Sequence, residues 1–484
     1  MPADLLLHPP SERDSLKHKV AKMFFRSQHF YFVGIGGIGM SGIAEVLLTL
    51  GHRVSGSDLK ASPITARLAS LGAVIHLGHA AEHIAEDVTA LVVTSAVKEG
   101  NPEIQEARRR KIPVIPRGEL LAELMRLKYG IAIGGSHGKT TTTSMTASVL
   151  SEAGLDPTVV VGGRVKAMGG SNARVGQSDL LVVESDESDG SFLKLAPILA
   201  VVTNIDQEHL DHYQTLDGVL EAFIGFINKV PFYGAAIVCL DDENVRRILP
   251  ELRRRVITYG VTPQADLVVR YIEESAEATR FELLRHEQSL GEFTLRVPGR
   301  HNVLNSAAAA AVALELGLAP AQIAAGLAAF TGVDRRFQVR GEAAGVTVID
   351  DYGHHPTEIR ATLEAARQRR FAHVHVLFQP HRYSRTQILM DEFARSFFAA
   401  DSVTLLDIYA ASEAPLPGVS AEALLEKLTA YGQRTAAYAP SLEAGARTVA
   451  ERARPGDMIL TLGAGSVSGA ADLVLEELEK IAHA

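Results

Sequence analysis

The chain has 484 residues and a formal net charge of -9, with hydrophobic residues at 46% and charged residues at 22%. This length exceeds a single hydrophobic core and predicts about three domains of about 150 residues each. The acidic balance and scattered basic residues exclude an electrostatic footprint for nucleic acid, and no apolar run approaches the ~18 residues that cross a bilayer. The single cysteine, Cys239, fits a reducing compartment, so we predict a cytoplasmic location with no membrane partner.

The first predicted structured unit opens with a glycine-rich turn. Residues 1–28 read as a weakly ordered extension, and the apolar run at 29–33 then predicts a strand that leads through the turn into a helix. Gly34, Gly36 and Gly39 satisfy G-x-G-x-x-G, and Asp58 ends the next predicted strand about twenty residues later. This fingerprint favours a diphosphate, which occurs in NAD, FAD and UDP-sugars alike. A ligand-free turn, with Asp58 as a helix cap, is the structural alternative.

The second unit begins where the strand at 131–133 meets a loop of glycine, lysine and threonine. Glycines allow consecutive backbone N–H groups to surround phosphate oxygens, and the following helix adds the positive end of its dipole. Lys139 supplies a mobile charge, and Thr140 supplies a hydroxyl where such loops hold Mg²⁺. Ile133 stands where the ordinary pattern has glycine, so the loop is one residue tighter. We predict a nucleoside triphosphate cradle; the alternative is a plain strand-to-helix connection.

Polar residues follow the next two predicted strands, at 179–184 and 199–204, and such strand ends form the ligand crevice of an open parallel sheet. We predict Glu184 as a Mg²⁺ ligand opposite Thr140, because it stands at the strand terminus. His209 offers a neutral imidazole for a second metal, although a lone histidine is more often structural. The remaining carboxylates of the first segment are interpreted as capping or solvated charges: Asp186, Glu187 and Asp189.

A third strand-and-helix series starts near residue 334. The predicted fold class is therefore α/β with three domains: an N-terminal Rossmann-like domain, a central P-loop-type ATPase mononucleotide-binding domain and a C-terminal Rossmann-like α/β domain. The predicted divisions are an extension at 1–28 and domains at 29–125, 126–332 and 333–484.

Taken together, these segments resemble the ATP-dependent Mur ligases of peptidoglycan synthesis, and the likeness covers nearly the whole chain. The motifs that carry it are Phe32–Gly42, Ser136–Thr141, Glu184–Phe192, Glu208–Asp211, Gly299–Asn305, Asp350–Glu358 and Gln379–Thr386. The resemblance implies that the first domain holds a UDP-sugar, the second ATP and the third an amino acid. It also implies ATP-driven ligation of L-alanine to the lactyl carboxylate of UDP-N-acetylmuramate through an acyl phosphate, with ATP as co-substrate and two Mg²⁺ ions.

The resemblance also implies roles for individual residues. For ATP these are Gly135, Ser136, His137, Gly138, Lys139, Thr140, Thr141, His301, Asn302 and Asp351. For the UDP-sugar they are Gly34, Gly36, Gly37, Ile38, Gly39, Ser57, Asp58 and Ser95. The implied metal ligands are Thr140, Glu184 and His209, and the implied catalytic residues are Lys139, His354, Arg382 and Arg385.

Several alternatives stay open on the residues alone. Arg382 and Arg385 would share a face of a helix, where they could equally form a surface ion-pair ladder. The rival functions are a ligase that recycles a tripeptide onto the same UDP-sugar, an NAD-dependent oxidoreductase and a nucleotide-gated binding module. Selection of alanine over serine or glycine, the choice between monomer and homodimer, and feedback control are not predicted.

Overall fold

The computed structural model describes residues 27–94, 97–165 and 171–483. These residues form three sheets, one for each predicted unit, flanked by helices. The three-domain α/β prediction is confirmed. All but the last two residues of the predicted extension at 1–28 lie outside the described part, as does Ser95. The predicted division points at 125 and 332 stay predictions.

The first sheet is parallel and has the strand order β3-β2-β1-β4-β5. Its strands are β1 His29–Val33, β2 Arg53–Asp58, β3 Val74–Leu77, β4 Ala90–Val93 and β5 Val114–Pro116. Its helices are α1 Ile38–Thr49, α2 Pro63–Ser70, α3 Pro102–Arg109 and α4 Arg117–Arg126. Strands β2 and β3 lie on one side of β1, and β4 and β5 lie on the other, so the strand order switches between β1 and β4. Ligands of open α/β sheets bind outside the carboxyl ends of the strands at such a point. The glycine turn after β1 lies there.

The second sheet has ten strands in the order β15-β14-β13-β12-β11-β10-β6-β9-β7-β8. Its strands are β6 Tyr129–Gly134, β7 Thr158–Val165, β8 Ser171–Arg174, β9 Leu180–Glu184, β10 Leu199–Val202, β11 Ala235–Cys239, β12 Val256–Gly260, β13 Leu267–Glu274, β14 Thr279–Arg285 and β15 Gln288–Leu295. Its helices are α5 Lys139–Glu152, α6 Leu210–Tyr213, α7 Leu216–Ile227, α8 Glu243–Ile248, α9 Arg300–Glu315 and α10 Pro320–Ala329. Because β6 lies between β9 and β10, the loops that follow these three parallel strands are neighbours.

The third sheet has the order β16-β17-β21-β18-β19-β20, with β16 antiparallel and the rest parallel. Its strands are β16 Gln338–Ala343, β17 Val346–Asp351, β18 Val374–Phe378, β19 Ser402–Leu405, β20 Ala436–Tyr438 and β21 Met458–Leu462. Its helices are α11 Pro356–Gln368, α12 Tyr383–Ile388, α13 Met390–Ala394, α14 Ala421–Ala430, α15 Leu442–Arg452 and α16 Ala470–His483.

The clusters of buried apolar side chains do not follow the three units one to one. Phe32 of the first unit, Leu121 of α4, and Phe192 and Phe223 of the second unit belong to one continuous core cluster. The two main clusters of the third unit, in contrast, contain only residues of that unit among the residues described. The first two units are therefore joined by a shared core, and the third has a core of its own. Within the described ranges, no helix is both long and apolar enough to pass through a bilayer.

Candidate active site

The glycine turn of the first unit is held by the end of β2. The backbone N–H groups of Gly34 and Ile35 donate to the carbonyl of Ser57 at 2.8 and 2.9 Å. The Asp58 carboxylate accepts from the N–H of Gly36 at 2.9 Å, and a Cβ at Gly36 would lie 2.8 Å from that oxygen. A side chain at position 36 would therefore push this carboxylate away from the backbone N–H. Asp58 shapes this turn and does not cap a helix.

A cavity of about 290 Å³ lies in front of the turn and extends into the second unit. Gly37 and Gly39 line it from the first unit, and Glu184 lines it from the end of β9. Glu184 accepts a hydrogen bond from the N–H of Gly162 at 2.7 Å. The Arg117 guanidinium at the start of α4 lies 3.8 Å from a carboxylate oxygen of Asp186. The cavity therefore combines a diphosphate-type turn with a cation and carboxylates.

The phosphate loop of the second unit needs its glycines for steric reasons. Gly135 has φ 123°, and a Cβ there would lie 2.1 Å from the Thr203 hydroxyl. Gly138 has φ 81°, caps the N-terminus of α5, and would place a Cβ 2.6 Å from the Asn305 side chain. Positive φ combined with such close neighbours leaves glycine as the residue that fits. The loop consequently presents backbone N–H groups at the start of α5.

Lys139 is held inside this loop by Glu187. Its ammonium donates to both carboxylate oxygens of Glu187 at 2.9 Å and to the carbonyl of Gly135 at 2.6 Å. The two side chains are only 14% and 2% exposed. Burial opposes the charge on Lys139, but the carboxylates of Glu187 and Asp186 outweigh it and raise the pKa of the ammonium. Burial raises the pKa of Glu187 to about 7, although Lys139 works against that shift.

Glu187, Glu208 and His209 form a cluster whose ligand atoms all lie within 4.8 Å of one another. Oε1 of Glu208 is buried and accepts no hydrogen bond within the described structure. Burial lowers the pKa of His209, which favours the neutral imidazole that a metal requires. Carboxylate oxygens and a neutral imidazole beside a phosphate loop fit a divalent cation. The predicted ligand His209 belongs to this cluster and Glu184 lies outside it; the assignment of Glu184 as a metal ligand stays a prediction.

A second cavity, of about 330 Å³, lies between the second and third units. The predicted ATP-site residues that line it are His137, Gly138, Thr141, His301, Asn302 and Asp351. The Asn302 side chain donates to the carbonyl of Pro298 at 2.6 Å, so it also fastens the start of α9. Asp351 accepts from the backbone of Phe337 and of Gly353 at 2.7 and 2.8 Å, and burial raises its pKa to about 6.

A third cavity, of about 340 Å³, is lined by the predicted arginines and by part of the carboxylate cluster. Arg382 and Arg385 line it together with Glu208 and His209, and a guanidinium nitrogen of Arg385 lies 3.8 Å from Oε1 of Glu208. The expectation that both arginines share a helix face is wrong. Arg382 precedes α12 with φ 70°, and its N–H donates to the carbonyl of Tyr409 at 2.8 Å.

His354 lies near Arg385 and contacts a second imidazole, His381. The two ring centres are 5.8 Å apart in an edge-to-face arrangement, and His381 also stacks on Tyr409. His354 lies 3.1 Å, through Nδ1, from the carbonyl of Tyr352. Burial, aided by Arg385, lowers the pKa of His354 to about 4. Burial and the neighbouring His354 lower the pKa of His381 to about 3.

Acid should therefore destabilise the folded chain through His381. Between pH 6.5 and about 4 the unfolded imidazole gains a proton while the folded imidazole stays neutral, so the free energy of unfolding falls with falling pH. The expected loss is about 1 kcal/mol per pH unit for this group. In His381→Gln the dependence, measured by urea unfolding across this range, should be shallower by that amount. His483→Gln, at an exposed position in α16, should keep the parent slope; equal slopes in both variants would contradict the assignment.

Sequence reasoning missed several residues that the structure brings to these cavities. Glu187 was interpreted as a capping or solvated charge but is buried against Lys139. Glu208 adjoins the predicted ligand His209, and Arg336 lines the cavity between the second and third units. The available signal was the position of these carboxylates just beyond buried strands. That signal does not indicate which side chain turns inward.

Comparisons with known proteins agree with this architecture. Three family models match in succession: Mur ligase family, catalytic domain, at residues 29–129; Mur ligase middle domain, at 133–313; and Mur ligase, glutamate ligase domain, at 335–465. The chain is 65% identical over 465 residues to the UDP-N-acetylmuramate--L-alanine ligase of Solibacter usitatus, covering 96% of this chain and 98% of that protein. It is 58% identical to the protein of the same name from Acidobacterium capsulatum, covering 94% and 99%.

Solved structures show the same three-unit arrangement. The crystal structure of UDP-N-acetylmuramate-alanine ligase from Thermotoga maritima superposes with a TM-score of 0.79 at 28% identity, covering 94% of this chain and 99% of that one. A murein peptide ligase from Psychrobacter arcticus shares the fold, with a TM-score of 0.70 at 23% identity over 93% and 99% of the two chains. Because the three Mur ligase models match in succession over most of the chain and the relatives are up to 65% identical over nearly its full length, this chain belongs to the Mur ligase family.

Proposed function

We propose that this enzyme joins L-alanine to the lactyl carboxylate of UDP-N-acetylmuramate and converts ATP to ADP and phosphate. The observation that carries the proposal is the position of the segment 184–189. Its first residue, Glu184, lines the cavity of the glycine turn, and Glu187 three residues later holds Lys139 of the phosphate loop. A sugar carboxylate bound at the first site can thus come within reach of a nucleotide bound at the second.

The reaction begins with attack of the lactyl carboxylate oxygen on the γ-phosphorus of ATP. ADP leaves, and an acyl phosphate forms. The alanine amine then attacks the acyl carbon, an amide forms, and phosphate leaves with the proton of the amine going to a base or to water. Since several anions meet here, the dominant requirement is to offset their repulsion. In this chain the cations proposed to offset it are Lys139, Arg382 and Arg385.

Lys139 is the residue that changes partner during this reaction. Its ammonium already lies between loop carbonyls and Glu187, and on nucleotide binding it would contact the phosphate oxygens. Mg²⁺, when bound, would neutralise phosphate charge and align the γ-phosphoryl group. The residues proposed to hold it are Glu187, Glu208 and His209, with the Thr140 hydroxyl at the start of α5.

The third unit supplies the other half of the site. Arg382 and Arg385 line a cavity that reaches Glu208 and His209, so their charges are available to the carboxylate of alanine and to the transferring phosphoryl group. The low pKa of His354 keeps its imidazole neutral near pH 7, which suits a hydrogen-bonding role toward the reacting groups. Docking of this unit over the other two would also exclude water, which would hydrolyse the acyl phosphate.

Membership of the Mur ligase family argues against the oxidoreductase alternative. Hydride transfer also does not require the second nucleotide-binding loop. The distinguishing experiment measures phosphate release from ATP with UDP-N-acetylmuramate and one acceptor at a time. The acceptors are L-alanine, L-serine, glycine and the tripeptide L-alanyl-γ-D-glutamyl-meso-diaminopimelate. We expect alanine to give the highest kcat/KM. Turnover with the tripeptide alone would favour the recycling ligase, and turnover with none would overturn the proposal.

A further inference from the structure

A polar cluster borders the cavity between the second and third units, and its central carboxylate was given no role in the reaction above. Its centre is Oδ2 of Asp206, in the loop after β10. Nε2 of His137, in the phosphate loop, lies 2.9 Å from this oxygen. The hydroxyl of Thr357 donates to it at 2.7 Å, and Nδ1 of His355 lies 3.4 Å away. A single carboxylate oxygen is therefore shared by the phosphate loop and the third unit.

On the side of the second unit, Asp206 is fixed to the phosphate loop. Its N–H donates to the Ser136 hydroxyl at 2.8 Å, and the N–H of His137 donates to the Asn204 side chain at 2.8 Å. The hydroxyl of Thr203 donates to the carbonyl of His137 at 2.6 Å. Several hydrogen bonds thus join the loop after β10 to the phosphate loop. A displacement of Asp206 would therefore also move the residues beside Lys139.

On the side of the third unit, the partners of Asp206 stand at the first turn of α11. His355 caps this helix and is 4% exposed, and Thr357 follows two residues later. The positive end of the helix dipole also favours a carboxylate at this position. Nδ1 of His137 lies 3.6 Å from the Glu358 carboxylate, in the same turn, and accepts or donates no hydrogen bond in the described structure. These contacts join the third unit to the second, so separation of the two units would break them.

We infer that Asp206 is a positioning residue that couples docking of the third unit to the geometry of the phosphate loop. The inference rests on the proposed function and goes beyond it. Because the third unit has its own core, polar contacts of this kind determine how firmly it docks. The Asp206 contact forms together with the arrival of Arg382 and Arg385, so the loop is held in place when the reacting groups meet.

The test removes the Thr357 hydroxyl without changing side-chain volume. Thr357→Val should lower kcat/KM about tenfold, because a hydrogen bond to a charged group is lost in the docked state alone. Small-angle scattering with a non-hydrolysable ATP analogue and UDP-N-acetylmuramate should show less compaction than in the parent enzyme. The matched control is Thr448→Val, whose hydroxyl donates within its own helix to the carbonyl of Ala444. It should match the parent enzyme in both measurements.

A double-mutant cycle separates coupling from general damage. In Asp206→Ala the docking contact is already absent, so adding Thr357→Val should change kcat/KM less than twofold. If the two substitutions lowered kcat/KM by independent factors that multiply in the double variant, the inference would be overturned. Compaction of Thr357→Val equal to that of the parent enzyme would overturn it as well. The scattering measurement needs no amide formation, so a failed inference is distinguishable from a failed assignment of alanine ligation, which would show as absent turnover in the parent enzyme.

Discussion

Lys139→Ala is expected to abolish ADP formation, with a fall in turnover of about a thousandfold or more. The reason is that the ammonium of Lys139, at the start of α5, would contact the transferring phosphoryl group. Binding of UDP-N-acetylmuramate, measured by calorimetry, should survive because its predicted turn lies in the first unit. Retained turnover would remove the assignment of the phosphate loop.

Folding must be separated from chemistry in this variant. Glu187 is 2% exposed, and loss of its ammonium partner leaves a buried carboxylate unpaired, which costs about 3–5 kcal/mol in comparable buried pairs. The double variant Lys139→Ala with Glu187→Gln should recover stability while remaining inactive. Lys194→Ala removes an exposed ion pair with Glu119 and should change both stability and turnover little. Regained turnover in the double variant would contradict the roles proposed for both Lys139 and Glu187.

Glu187→Gln is the second change with a large expected effect, and Glu184→Gln is its matched control. The amide keeps the shape of Glu187 but removes the charge that would bind a divalent cation beside Glu208 and His209. We expect turnover to fall roughly a hundredfold or more and the Mg²⁺ concentration for half-maximal rate to rise. Mn²⁺ binding, followed by electron paramagnetic resonance, should weaken in parallel.

Glu184→Gln should leave Mn²⁺ binding close to that of the parent enzyme. Its carboxylate accepts from the Gly162 backbone and lines the cavity of the glycine turn, so the effect should fall on the KM for UDP-N-acetylmuramate. The opposite pattern, with metal binding lost in Glu184→Gln and kept in Glu187→Gln, would restore the ligand that was predicted from sequence. The pair of variants therefore shows which of the two carboxylates binds the divalent cation.

The sequence predicted the parallel strands well because they are short apolar runs that end in glycine or a polar residue. The strand predicted at 29–33 matches the observed one residue for residue, and those predicted at 179–184 and 199–204 match the observed strands to within two residues. The antiparallel strands β13 to β15 were not predicted. Charged and apolar residues are mixed along them, and register shifts at Tyr271 and Glu282 interrupt the alternation.

The site was less predictable for a different physical reason. The strand end at Glu184 is visible in the sequence, but the path of the chain over the next residues decides which carboxylate faces Lys139. That path is fixed by tertiary contacts, such as the hydrogen bond from the Tyr213 hydroxyl to the Glu187 carbonyl at 2.5 Å. Similarly, the left-handed conformation of Arg382 has no local sequence signal, since arginine rarely adopts positive φ.

The shared core of the first two units has a consequence for how the molecule melts. Side chains from both units interlock in one apolar cluster, so these units should lose structure together in one cooperative transition. The two main apolar clusters of the third unit contain only its own residues, so this unit should give a separate endotherm in scanning calorimetry. A nucleotide bound between the second and third units would bring the melting temperatures of the two transitions closer together. The thermal shift on adding the ligand would therefore report contact between these units as well as affinity.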